Sequence, residues 1–297
     1  HLSRRINLYK LILRDKCHIS LVLTQIGRIP ETDRDLLVPL LPMSLFYLQG
    51  PEETLQRGEN AGIQVKSLDD YLEAMRRGLQ EWKAKGVVGM KMRCSDFSEE
   101  IPRDTAEREF IKLLGGKEAD LASLNFFIHN EMLTIAGKLN LVVAVHCGIL
   151  WNNWNDFYTT HPRYMIPLLL RHQKTKFDLY HAGIPWVREM GVIGKDFPNA
   201  YLNLCWCHII SPRMTVSLLD EWMDLVPLNK ITGFGGDYCR PVEKVYGHLM
   251  MAKQNIARVL AGRVSDGLMS EKEALRVAQQ FLFENPKELY QLDGKKL

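Results

Sequence analysis

Apolar residues fall along this chain in short unbroken runs, separated by longer stretches that carry a single apolar face. Runs at 19–24, 36–41, 87–93, 141–146, 177–181, 200–206 and 231–237 are rich in Val, Ile, Leu and aromatic residues, and several lack polar alternation. A strand covered on both faces reads this way, so the pattern predicts seven strands of a parallel sheet. Ser67 and Asp70 have capping-box spacing and open a stretch in which Tyr71, Leu72, Met75, Leu79 and Trp82 share one helical face. Ser270 and Glu273 repeat the device ahead of Leu275, Ala278, Phe281 and Leu282.

Alternating strands and helices imply crossovers between parallel neighbours. Seven such units over about 240 residues approach the eight units and roughly 250 residues of an α/β fold of the (β/α)8 TIM-barrel type. A doubly wound open sheet is the competing architecture, and no G-x-G-x-x-G follows any predicted strand. No repeat, low-complexity linker or shift in composition divides the chain, so residues 1–297 are expected to form one domain.

Charge and composition narrow the partners. Lys plus Arg exceed Asp plus Glu by 38 − 35 = 3, without a long run of like sign, so no basic stripe for nucleic acid is present. No apolar run approaches the roughly 18 residues that cross a bilayer, which argues against a membrane protein. Cys17, Cys94, Cys147, Cys205, Cys207 and Cys239 are scattered through a chain too large to need a disulfide framework, so reduced thiols and a cytoplasmic location are expected. Cys205 and Cys207 read as small core residues sharing one strand face, and His18 and His172 as structural or solvated.

The chemistry lies at the strand ends. The run 87–93 closes with Lys91 and Arg93, two apart and therefore on one face. The next two end in His146 and His181, and the last in Asp237, with Arg240 three residues on. In a β/α barrel these ends converge on one rim, where active sites of the fold are built. Two imidazoles and a carboxylate suit a divalent cation such as zinc, which would acidify a bound water, and a spare imidazole could carry its proton. Gly233, Gly235 and Gly236 before Asp237 suggest close approach by a ligand or a neighbouring strand. Trp151, Trp154 and Trp186 follow the two histidines, where loops would wall a small-molecule pocket.

These motifs resemble the amidohydrolase superfamily, in its amidohydrolase-related branch. The resemblance rests on Val145-His146-Cys147-Gly148, Tyr180-His181-Ala182-Gly183, the segment 196–203, Gly235-Gly236-Asp237 and the closing stretch 274–289 with Glu284-Asn285-Pro286. It implies a distorted barrel holding one divalent metal, commonly zinc, and a tendency to form homo-oligomers. It further implies His146 as a metal ligand, His181 as the proton-transferring histidine, and Asp237 as the last-strand carboxylate that serves metal, water or both. Lys91 falls where two-metal relatives place a carboxylated lysine. The spacing of Asp237 and Arg240 is also similar to, though not the same as, the aspartate-x-arginine segment of uronate isomerases. The first strand of this family ends in His-x-His, which is absent here, so that strand is expected upstream of His1.

The combined expectation is a metal-dependent hydrolase or lyase for a small, carboxylate-bearing molecule. His181, Asp237 and Lys91 would be catalytic, and His146 and Asp237 would bind metal. Arg93, Arg240, Trp151 and Trp186 would contact substrate, the arginines by bidentate pairing with carboxylate. One rival is a uronate-isomerase-like sugar isomerase using the same rim. Another is a barrel without metal or catalysis that binds a metabolite.

Overall fold

The computed structural model describes residues 8–26, 35–94, 99–237 and 241–292. Seven strands pair in chain order, every neighbour parallel. They are β1 (Val22–Gln25), β2 (Leu37–Pro42), β3 (Gly89–Arg93), β4 (Val142–His146), β5 (Phe177–Tyr180), β6 (Ala200–Asn203) and β7 (Ile231–Thr232). Each of the seven apolar runs therefore holds a strand. The last two runs outlast their strands; in the sixth, Leu204 and Cys205 stay buried beyond the end of the hydrogen-bonded ladder. Cys205 and Cys207 thus do not share a strand face as expected: Trp206 between them turns into the left-handed region (φ 67°) and Cys207 starts a short helix.

The sheet curls into the wall of a β/α barrel. Its inner face gathers Val38 and Leu40 of β2 with Val142 and Ala144 of β4, and Leu23 of β1 and Tyr201 of β6 close on the same cluster. Leu289, Tyr290 and Leu292 from the end of the chain plug this interior from below. Register layers the inside. Lys91, Ala144 and Asp178 form one level, and Arg93, His146 and Tyr180 the level above it, toward the carboxyl ends.

Helices cover the outer face. Among them, α1 (Pro51–Asn60) is followed by α2 (Leu68–Ala84), which starts where the sequence expects. Ser67 Oγ accepts from the Asp70 amide while Asp70 accepts from the Ser67 amide, an arrangement worth about 1 kcal/mol. Tyr71, Met75 and Leu79 face the sheet. The second capping box also forms, at Ser270 and Glu273. In that helix (Glu271–Gln279), however, Ala274 and Val277 are buried and Leu275 is 67% exposed. Ala274, Val277 and Phe281, three and four residues apart, make the inward stripe instead.

Between β1 and β7, which do not pair with each other among the described residues, lies a cavity of about 1060 Å³. Leu23 and Leu40 form part of its apolar wall, and Lys91, Asp178 and Asp237 part of its polar end. The five described cysteines are buried. Among the described residues, no helix is long and apolar enough to cross a membrane.

Candidate metal centre

His146 ends β4 and is 9% exposed, and His181, fully buried, follows the last residue of β5. His181 does not continue its strand, as the sequence reading had it. It takes φ 64° and begins a tight turn through Ala182 and Gly183 that aims its ring back over the barrel mouth. Gly148 makes the approach of the two histidine loops possible. Its φ is +77°, and a Cβ there would lie 2.3 Å from the Ile184 carbonyl oxygen, so a side chain is excluded by conformation and by contact. Asp237 enters from beyond β7, with its carboxylate partly exposed.

Two backbone carbonyls decide the state of the imidazoles. His146 Nε2 lies 2.8 Å from the Ile149 oxygen and His181 Nδ1 lies 3.0 Å from the Cys205 oxygen. A carbonyl only accepts, so those nitrogens carry the ring protons. His146 Nδ1 and His181 Nε2 are left as lone pairs, and they face each other at 3.0 Å. Asp237 Oδ2 adds negative charge at 3.3 Å from His181 Nε2 and 3.9 Å from His146 Nδ1. Burial, reinforced by the charge of the neighbouring imidazole, pushes His146 down to about 3. Burial also lowers His181. Burial alone would raise the Asp237 carboxyl, but its surroundings beside the His181 ring and Lys91 hold it below the usual carboxylate range.

Three electron-pair donors thus converge without a proton to separate them. Their ligand atoms all lie within 4.8 Å of one another. Three ligand atoms around zinc at about 2.1 Å sit about 3.4 Å apart, and the observed 3.0, 3.3 and 3.9 Å straddle that spacing. Neutral imidazoles fixed by carbonyls, plus one carboxylate, therefore fit a divalent cation with room for a further ligand.

The other expected site residues divide. Lys91 lines the cavity. Its Nζ is buried without a hydrogen-bond partner and sits 3.7 Å from the Tyr180 ring centroid. Arg93, on the same strand face, ends the strand and is exposed. Arg240 lies outside the described residues. Trp151 and Trp186 do not wall the cavity. Trp151 is 76% exposed, and Trp186 packs 4.0 Å from the His161 ring in an aromatic group with Phe157 and Tyr158. The loop after β4 reaches outward to that group.

Sequence reasoning missed several members. Trp206 stacks on His181 at 4.2 Å, and its indole N–H donates to the Asp237 carbonyl at 3.1 Å. Asp178, inside the apolar run of β5, is fully buried, and its Oδ2 accepts from Tyr290 at 2.8 Å and from Asn203 at 3.0 Å. A lone acid within such a run was the available signal for Asp178.

A curled parallel β/α wall whose strand ends bring two imidazoles and a carboxylate to one point has the architecture of the amidohydrolase barrel. The family model described as amidohydrolase matches residues 54–246, and the chain belongs to that family. Uronate isomerase of Nostoc punctiforme is 22% identical over 276 residues, covering 85% of this chain and 58% of that protein. Protein fluG of Emericella nidulans is 24% identical over 155 residues, or 52% of this chain and 18% of that protein. The chain thus spans less than two thirds of either relative. Among solved structures, a protein described as a candidate metal-dependent hydrolase from Lactobacillus casei superposes with a TM-score of 0.74 at 17% identity, covering 97% of this chain and 77% of its own. Uronate isomerase from Thermotoga maritima gives 0.74 at 18%, covering 95% and 69%. At those identities the likeness is one of fold.

Proposed function

We propose that the protein is a metal-dependent hydrolase or lyase acting on a small, carboxylate-bearing molecule, with one zinc ion as its cofactor and a cytoplasmic place of action. The observation that carries this reading is the meeting of the His146 and His181 lone pairs with the Asp237 carboxylate, a set of donors that calls for a cation. His146 and Asp237 would hold the ion, with His181 Nε2 beside both. When bound, such an ion supplies Lewis acidity and a water of lowered pKa.

The chain's own groups do the rest. Asp237 accepts a proton, and His181, left off the ion where His146 and Asp237 hold it, passes that proton on from Nε2, which lies 3.3 Å from Oδ2. The Cys205 carbonyl keeps the His181 ring in the tautomer that can do so. Trp206 covers the His181 ring and limits its access to bulk water. Arg93 stands at the rim on the level of His146 and would pair with the substrate carboxylate.

A second reading, a uronate-isomerase-like sugar isomerase, is favoured by the 22% identity to the Nostoc enzyme across 85% of this chain. A screen of small carboxylates and sugar acids in oxygen-18 water separates the two. Solvent oxygen appearing in the product supports hydrolysis, and an isomeric product without added oxygen supports the isomerase. Equal turnover after Asp237→Asn would remove Asp237 from either mechanism.

A further inference from the structure

One level below the candidate metal centre, the barrel interior holds a second polar arrangement that the metal reading does not use. Lys91 and Asp178 stand on β3 and β5 at the same register level, with Ala144 between them, so their Cα atoms are roughly 10 Å apart. Both line the cavity of about 1060 Å³. Each carries an orphaned atom, since Lys91 Nζ and Asp178 Oδ1 are buried without a hydrogen-bond partner. Lys91 forms no ion pair with any carboxylate among the described residues, and its Nζ rests on the face of the Tyr180 ring.

An ammonium group offers three donors, and leaving all of them unmet in a buried place is costly. A neutral amine in the same place has a free lone pair and little such cost. Lys91 is accordingly pushed below the ordinary lysine range by burial, against the opposing charge of Asp237. Asp178 is pushed up to about 6 by burial, even though Tyr290 and Asn203 hold its other oxygen. A nucleophilic amine and a carboxyl group able to give and take a proton therefore line one cavity.

We propose that Lys91 is a covalent site, an amine that condenses with a small aldehyde or ketone held in the cavity to form an imine. The Nζ lone pair forms the C–N bond, and the carbonyl π pair moves to oxygen, which takes a proton from the Asp178 carboxyl. The nitrogen then gives up its two protons, one returning to Asp178 and one leaving on the departing oxygen. The C–O bond breaks, one water is released, and no oxidant or reductant is consumed. The apolar wall formed by Leu23 and Leu40 suits the hydrocarbon part of a small carbonyl compound.

The test uses the full chain, propionaldehyde as the probe and cyanoborohydride to reduce any imine to a stable secondary amine, followed by peptide mapping of every lysine. Because a buried amine without hydrogen-bond partners is kept neutral, Lys91 should be alkylated several-fold faster than the median lysine. In urea that preference should vanish. Asp178→Asn, nearly the same in shape, should slow labelling at Lys91 and leave the other lysines unchanged. Lys91 staying unmodified in the folded chain while surface lysines react would overturn the proposal, and so would equal labelling of folded and unfolded chains at Lys91. Labelling unaffected by Asp178→Asn would remove the proton-carrying role of Asp178. None of these readouts depends on a metal, so their failure leaves the hydrolase reading untouched.

Discussion

Acid should unfold this protein through histidines that the fold keeps neutral, and His129 allows the size of the effect to be worked out. The ring is fully buried in the helix Leu121–Lys138, with Nδ1 2.9 Å from the Tyr47 hydroxyl. Burial, with a smaller contribution from His172, lowers its pKa from 6.5 to about 3. Below about pH 6.5 the unfolded chain therefore takes up a proton that the folded chain refuses, so stability is complete above that value and declines as pH falls toward 3. At about pH 5 the gap is about 1.5 units, which at 1.36 kcal/mol per unit is about 2 kcal/mol from this one ring. Urea unfolding of the wild type and of His129→Gln, each at about pH 7.5 and about pH 5, isolates the contribution. The variant should lose about 2 kcal/mol less than the wild type between the two conditions. Equal losses would refute the reasoning, because they would mean that His129 titrates alike in the folded and unfolded chains.

Other expectations follow from single contacts. Gly148→Ala should destabilise the chain by about 2 kcal/mol or more through its left-handed φ and its contact with Ile184, and it should weaken zinc binding because the two histidine loops separate; calorimetry and zinc titration check both. Ser67→Ala should cost about 1 kcal/mol in urea unfolding and leave the metal centre unaffected. Trp206→Phe keeps an aromatic face on His181 but removes the donor to the Asp237 carbonyl, so zinc affinity should fall several-fold with little change in Tm.

The sequence made the strands easy to place and their ends hard. Parallel strands buried on both faces leave continuous apolar runs, and every such run holds one. The same burial continues into the rim loop after β6, so apolar character does not mark where pairing stops. Leu204 and Cys205 are as buried as the strand before them, yet Trp206 turns left-handed. His146, His181 and Asp237 were legible because polar residues interrupt apolar runs at matching positions. Their tautomers were not, since they depend on the carbonyls of Ile149 and Cys205, and any residue type supplies a carbonyl. Lys91 and Arg93 share a face, as alternation requires, but depth separates them: one points into the closed interior and the other reaches solvent at the strand end. Tyr290 meets Asp178 across 112 positions of sequence, a contact that no local pattern announces.

Metal content tests the central claim most directly. The full chain, purified, stripped with chelator and dialysed against zinc, should hold about one equivalent by elemental analysis, and His146→Ala should hold almost none while remaining folded by circular dichroism. Less than roughly a tenth of an equivalent in the wild type, unchanged when manganese replaces zinc, would contradict the account and leave a barrel that binds its ligand without metal.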